Sequence, residues 1–148
     1  MQGRVAQIGI ALGALGTVLA FMGLFPGVTG IPPTPGIGIV QLLLILAGFT
    51  LLMGGAFIYV KYTFYPRQHA TLAQQIGLRL SMTGLLFAAF AAMADILGFG
   101  SNLRTPTSDI YFGPWQAAGL VGGFLIASLG VLLYAISGPP DADEPPPQ

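Results

Sequence analysis

Three observations predict an all-α integral membrane protein, a bundle of four transmembrane helices built from two tandem helical hairpins. The first is composition: of 148 residues 54% are hydrophobic and only 7% charged, against about 25% charged in an ordinary soluble domain. The second is length: four apolar runs each reach the roughly 20 residues an α-helix needs to cross a hydrocarbon core. The third is an internal repeat, found by sliding the chain 75 positions along itself.

The elements follow in order. No charged residue lies between Arg4 and Lys61, and that stretch holds two apolar runs split by the proline-rich residues 26–36, giving spans at about residues 5–25 and 37–62. A cation before an apolar run can also mark a cleaved signal peptide, with Val18, Leu19 and Ala20 as a tolerable cleavage site. The length of the run, and a counterpart for it in the repeat, favour a retained helix. The third span is expected at about residues 72–99, opening on Thr71, Leu72, Ala73 and Gln74 as a capping box. The fourth is expected at residues 114–136, with Pro114 in its first turn, where a missing N–H costs nothing. Pro66 falls in the connection between the second and third spans, where it ends one helix without interrupting another.

The gapless offset of 75 gives ten identities over residues 4–59, among them Arg4/Arg79, Gly9/Gly84, Gly38/Gly113, Gln41/Gln116, Gly48/Gly123, Phe49/Phe124 and Tyr59/Tyr134. About five would arise by chance in so glycine- and leucine-rich a chain. Two readings stand: tandem hairpins (residues 4–62 and 72–137) of one domain covering residues 1–137, or the shared bias of any two apolar hairpins. Residues 138–148 are acidic and proline-rich, with nothing to bury, and are expected to be a disordered cytoplasmic tail.

Orientation follows from the cations. Arg4, Lys61, Arg67 and Arg79 are expected on or at the edge of one side and Arg104 on the other, which places both termini in the cytoplasm of a bacterial inner membrane. Interfacial positions are expected for Tyr59, Tyr62, Phe64, Tyr65 and Tyr134 on that side, and for Tyr111, Phe112 and Trp115 on the other. Lys61, Arg67 and His69 make a modestly basic edge suited to lipid headgroups.

Small residues at three- and four-residue spacing predict close helix packing. Gly9, Gly13, Gly16, Ala20 and Gly23 mark the first helix, Gly119, Gly123, Ala127 and Gly130 the fourth, and Gly77, Ser81, Gly84, Ala88, Ala91 and Asp95 the third. These stripes either meet within the chain or leave a face for another subunit or another copy.

Asp95 is the one carboxylate in an expected span. With Gln41, Gln116 and Arg104 it forms a candidate polar cluster at the outer end. As a functional site this would bind a proton or cation, or donate to a quinone or lipid headgroup. As a structural one it would be an Asp95–Arg104 ion pair with the glutamines bonding across helices. Thr17, Thr50, Ser81, Thr83 and Ser128 are expected to hydrogen-bond from helix to helix.

Other chemistry is excluded or unsupported. The absence of cysteine removes disulfides, thiol redox and thiolate metal sites. A single histidine, His69, rules out bis-histidine haem ligation within one chain. Five scattered cations cannot neutralise a nucleic-acid backbone. No phosphate-binding glycine motif or nucleophile–histidine–acid set occurs. No catalytic residue, metal or cofactor is therefore expected. The reading is a structural or accessory membrane subunit contacting lipids and other membrane subunits or itself, without enzymatic activity. The alternative is a small oligomeric transporter or channel, or a quinone- or lipid-binding protein, using the Asp95 cluster.

Overall fold

A computed structural model describes residues 2–30, 37–99 and 112–139. Within them the chain forms α1 (Gln2–Leu24), a 3-10 turn (Pro26–Thr29), α2 (Ile39–Phe64), α3 (Leu72–Met93) and α4 (Pro114–Ile136). No strand occurs among the described residues. All four helices are long and apolar enough to cross a membrane, so the chain has the make-up of a multi-pass membrane protein.

Local chemistry accounts for the helix ends. Thr71 and Gln74 form the expected capping box: the Gln74 N–H donates to Thr71 Oγ1 at 3.1 Å and the Thr71 N–H to Gln74 Oε1 at 3.1 Å. Pro114 opens α4. At the far end of α3 the regular helix stops at Met93, short of the expected residue 99. The chain tightens there, with the Ala94 N–H donating to the Ala91 carbonyl. It ends in a Schellman motif, in which the Phe99 N–H donates to the Ala94 carbonyl and the Gly98 N–H to the Asp95 carbonyl. Gly98, at φ 84°, takes the left-handed position that closes the motif.

Within lipid, helices associate through van der Waals contact and hydrogen bonds, because leaving lipid brings no hydrophobic gain. The glycine stripes supply the contact. A methyl group built on Gly16 would lie 2.5 Å from both the Gly48 carbonyl oxygen and the Leu52 nitrogen. Gly9 is similarly pressed on Gly55 and Tyr59, and Gly23 on Gln41 and Ile45. α1 and α2 thus run antiparallel in backbone contact along their length. The spacing of seven keeps the glycines on one face, since two helical turns take about seven residues. α3 and α4 repeat the arrangement, with Gly77 against Gly130 and Tyr134, and Gly84 against Gly123 and Ala127.

These pairs fix the internal register. α2 and α4 correspond at 75 positions, through Gly48/Gly123 and Gly55/Gly130. α1 and α3 correspond at 68, because Gly9 plays the part of Gly77 and Gly16 that of Gly84. A single gapless offset of 75 therefore does not describe the packing, since the first helix of each pair is displaced by one heptad. At 68 the sequence matches Gln7/Gln75, Ile8/Ile76, Gly9/Gly77, Leu12/Leu80, Gly16/Gly84 and Ala20/Ala88. The longer connection before α4 hid this register from an ungapped comparison.

The two hairpins meet chiefly through α2 and α4. Phe49 stacks on Phe124 with ring centroids 4.1 Å apart, and Phe57 meets Tyr134 edge-on at 5.1 Å. Leu42, Ile45, Ala88, Ala92, Leu120 and Phe124 form the core beside them. α1 makes its close helix contacts with α2 and presents the rest of its surface outward.

Candidate functional site

The polar side chains of the spans serve the backbone at both ends of the molecule. At the end away from the α2–α3 connection, Gln41 and Gln116 occupy the third position of α2 and α4. The Gly38 N–H donates to Gln41 Oε1 at 2.8 Å, and the Gly113 N–H donates to Gln116 Oε1. Each glutamine thereby satisfies an amide just ahead of its helix, where no carbonyl is available. Glycine has no side chain to return a bond, so each is half of a capping box. Gln116 is buried and its Nε2 has no hydrogen-bond partner, whereas Gln41 is half-buried.

Asp95 lies at the same end but in the turn beyond α3, half-buried, not inside a regular helix. Arg104, the other member of the expected cluster, and Tyr111 lie outside the described residues. So do residues 140–148 of the expected tail. The structure thus places Gln41, Gln116 and Asp95 at one end while committing both glutamine oxygens to helix caps.

The opposite end is tied together more fully. Gln74, with no exposed surface, adds to its capping bonds a third, from Nε2 to the Tyr134 carbonyl at 3.2 Å. The Tyr65 hydroxyl donates to the Ala135 carbonyl at 2.6 Å and the Thr71 hydroxyl to the Ser137 carbonyl at 2.7 Å. Three carbonyls at the C-terminal end of α4, where the helix has no donors left to offer, are thereby satisfied by the α2–α3 connection and the first turn of α3. Lys61 Nζ donates to the Gln68 carbonyl at 2.6 Å, bracing the same segment. Gly138 packs against the Tyr65 ring, which leaves no room there for a side chain. The capping box disclosed Gln74 in the sequence, but its bond to α4 depends on a contact between residues 60 positions apart.

Several expectations for individual residues change. Tyr134 is buried against Phe57, whereas Tyr59 is partly exposed and Trp115 is 80% exposed. Thr17, Thr50, Thr83 and Ser128 donate to carbonyls four residues back in their own helices, at 2.7–2.9 Å, instead of across helices. Inside a helix that carbonyl is the nearest acceptor, so a short hydroxyl side chain reaches it first. Ser81, wedged against Gly130, is buried without a hydrogen bond. Gly13 tolerates a methyl group, its nearest neighbour being Leu52 Cδ1 at 3.8 Å, and Gly119 faces the Ala91 side chain, not a backbone. Gly48, Gly55 and Gly77 complete the close contacts. Arg67 and His69 are exposed in the α2–α3 connection.

No group of side chains suited to holding a metal occurs among the described residues. Two open apolar grooves run along α1. One, of about 340 Å³, lies over Gly9, Gly13, Gly55 and Tyr59, and the other, of about 600 Å³, over Thr17, Phe21, Met22 and Val28. Neither is lined by Asp95, Gln41 or Gln116. No family model, characterised protein or solved structure matches the chain.

Proposed function

We propose that this protein is a structural or accessory subunit of the membrane, packing against a partner membrane complex or against further copies of itself, with no catalytic chemistry of its own. The observation that carries this reading is the use made of the polar groups. Gln41, Gln74, Gln116, Tyr65, Thr71 and the four back-bonded hydroxyls all bond to backbone, capping helix ends, bonding within their own helix or tying the start of α3 to the end of α4, which leaves little for a substrate. The orientation that suits it has both termini in the cytoplasm of a bacterial inner membrane, as the cations at the α2–α3 end favour. Duplication of one hairpin, with a heptad added before the last helix, accounts for the 68 and 75 registers.

The test is purification of the tagged protein from its native membrane in mild detergent, with mass and composition measured for whatever accompanies it. Stoichiometric recovery with a larger membrane complex supports the reading, whereas recovery alone or as a small homo-oligomer favours an independent transporter. A monomer that alone transports solute when reconstituted in vesicles overturns it. The second reading, a small transporter or a quinone- or lipid-binding protein, draws on the buried, unbonded Gln116 Nε2 at the end that carries Asp95. It predicts that Asp95→Asn abolishes transport or ligand binding while the fold persists.

A further inference from the structure

Arg79 stands where a cation is costly. It lies between the Gly77 and Gly84 crossing points of the α3–α4 hairpin, about 10 Å of helix beyond the start of α3 at Leu72. It is exposed, on the side of α3 opposite the buried Gly77, Ser81, Gly84 and Ala88. Its neighbours on that face include Ile76, Met82, Leu86 and Phe90, each more than half exposed, together with the exposed polar residues Gln75 and Thr83 one turn either side. On this largely apolar face the guanidinium has no counter-charge within reach among the described residues. Asp95, the sole acid among the described residues, lies about 24 Å further along the helix axis.

Side chains on a helix lean toward its N-terminus, so Arg79 extends toward the membrane surface at which α3 begins. An arginine can span much of the remaining depth by snorkelling. There it meets the headgroup layer from below, at the end where Arg4, Lys61, Arg67 and His69 also lie. The face is unsuited to a close-packed partner helix, because the glycines of α3 and its buried Ser81 and Ala88 are committed to its α4 side, leaving bulky side chains outward. Acyl chains pack well against such a surface.

We propose that the outward face of α3 is a binding site for one anionic phospholipid, its phosphate held by the Arg79 guanidinium and its acyl chains lying along Ile76, Met82, Leu86 and Phe90. The site rests on the four-span membrane reading and refines the expectation of lipid contact to one residue and one headgroup charge. It does not depend on the accessory role.

The test is native mass spectrometry of the full chain in mild detergent, titrated with phosphatidylglycerol or with phosphatidylcholine of the same acyl chains. Wild type, Arg79→Leu, Arg79→Lys and the loop control Arg67→Leu are compared. The wild type is expected to take up its first phosphatidylglycerol about fivefold more tightly than phosphatidylcholine, the worth of one charge near an anionic surface. Arg79→Leu loses that preference, while Arg79→Lys and Arg67→Leu keep it. Thermal melting of each variant, with and without lipid, verifies the fold: phosphatidylglycerol raises the wild-type melting temperature, and Arg79→Leu melts cooperatively without that rise. An unchanged preference in Arg79→Leu overturns the proposal, as does equal binding of the two lipids by wild type. Equal protection by inorganic phosphate alone, or a protein partner that is lost on Arg79→Leu while lipid binding is unaltered, also overturns it. Failure here leaves the accessory reading intact, since co-purification decides that separately.

Discussion

At Gly16 the backbones of α1 and α2 come so close that a methyl group would sit 2.5 Å from two backbone atoms, whereas at Gly54 a methyl group meets nothing within 4 Å. The same substitution should therefore act in opposite directions. Gly16→Ala forces the helices apart and is expected to cost about 1–3 kcal/mol, as overpacking usually does. Gly54→Ala is expected to be neutral or to stabilise by up to about 1 kcal/mol through helix propensity. Thermal unfolding of both variants in one detergent checks this, and a Gly54→Ala variant that melts below Gly16→Ala refutes the packing. Gln74 offers a polar counterpart. Gln74→Leu strands the Thr71 N–H and the Tyr134 carbonyl, each worth about 1–3 kcal/mol when buried and unsatisfied. Faster hydrogen exchange at the start of α3, with the middle of α3 unchanged, is the expected signature. Of these residues, the glycines of α1 and α4 and the Thr71–Gln74 pair were legible in the sequence, because local spacing marks them. Gly54 and Gly55 are neighbours of identical chemistry, and only the helix packed beside them distinguishes the free one from the committed one.

Between elements, two strengths of contact coexist. Each hairpin is held by backbones in contact along whole helices, while the seam between hairpins relies on larger side chains, with Phe49 and Phe124 at its centre. Truncating both to alanine removes the stack and leaves a cavity, a cost of about 3–5 kcal/mol for a buried phenylalanine. It should separate the hairpins without opening either. Proteolytic nicking in the exposed connection at residues 66–69, followed by size measurement in detergent, provides the check. Nicked wild type stays in one piece and the nicked double variant comes apart; a double variant that holds together shows that the seam lies elsewhere. The helices themselves were legible from apolar length, and the start of α3 and both ends of α4 coincide with expectation. The end of α3 was not, because a Schellman motif continues the helical path past Met93 with altered hydrogen bonding while hydropathy stays high.

For the whole molecule, the cations of the described residues, Arg4, Lys61, Arg67 and Arg79, fall toward one end, and the acid Asp95 lies at the other. This asymmetry predicts topology. A reporter fused after Gln148 and another inserted within residues 61–69 should both read as cytoplasmic. An external signal from either one reverses or breaks the proposed orientation, whatever the packing within the chain. The two hairpins also differ in exposure, since α1 is covered chiefly by α2 and leaves grooves along its length.

The sequence by itself determined the solvent of this protein, the number of its long helices and the residues small enough to let them touch. Those properties depend on local composition and on periodicity along one helix, which a linear reading retains. Only the tertiary structure decided the registers of α1 against α2 and of α3 against α4, the capping of α4 by Gln74, Tyr65 and Thr71, the burial of Tyr134 and the outward direction of Arg79. Each of those depends on which residue of a second helix stands opposite. A displacement by one heptad leaves the sequence pattern of each helix unchanged while changing every partner across the interface.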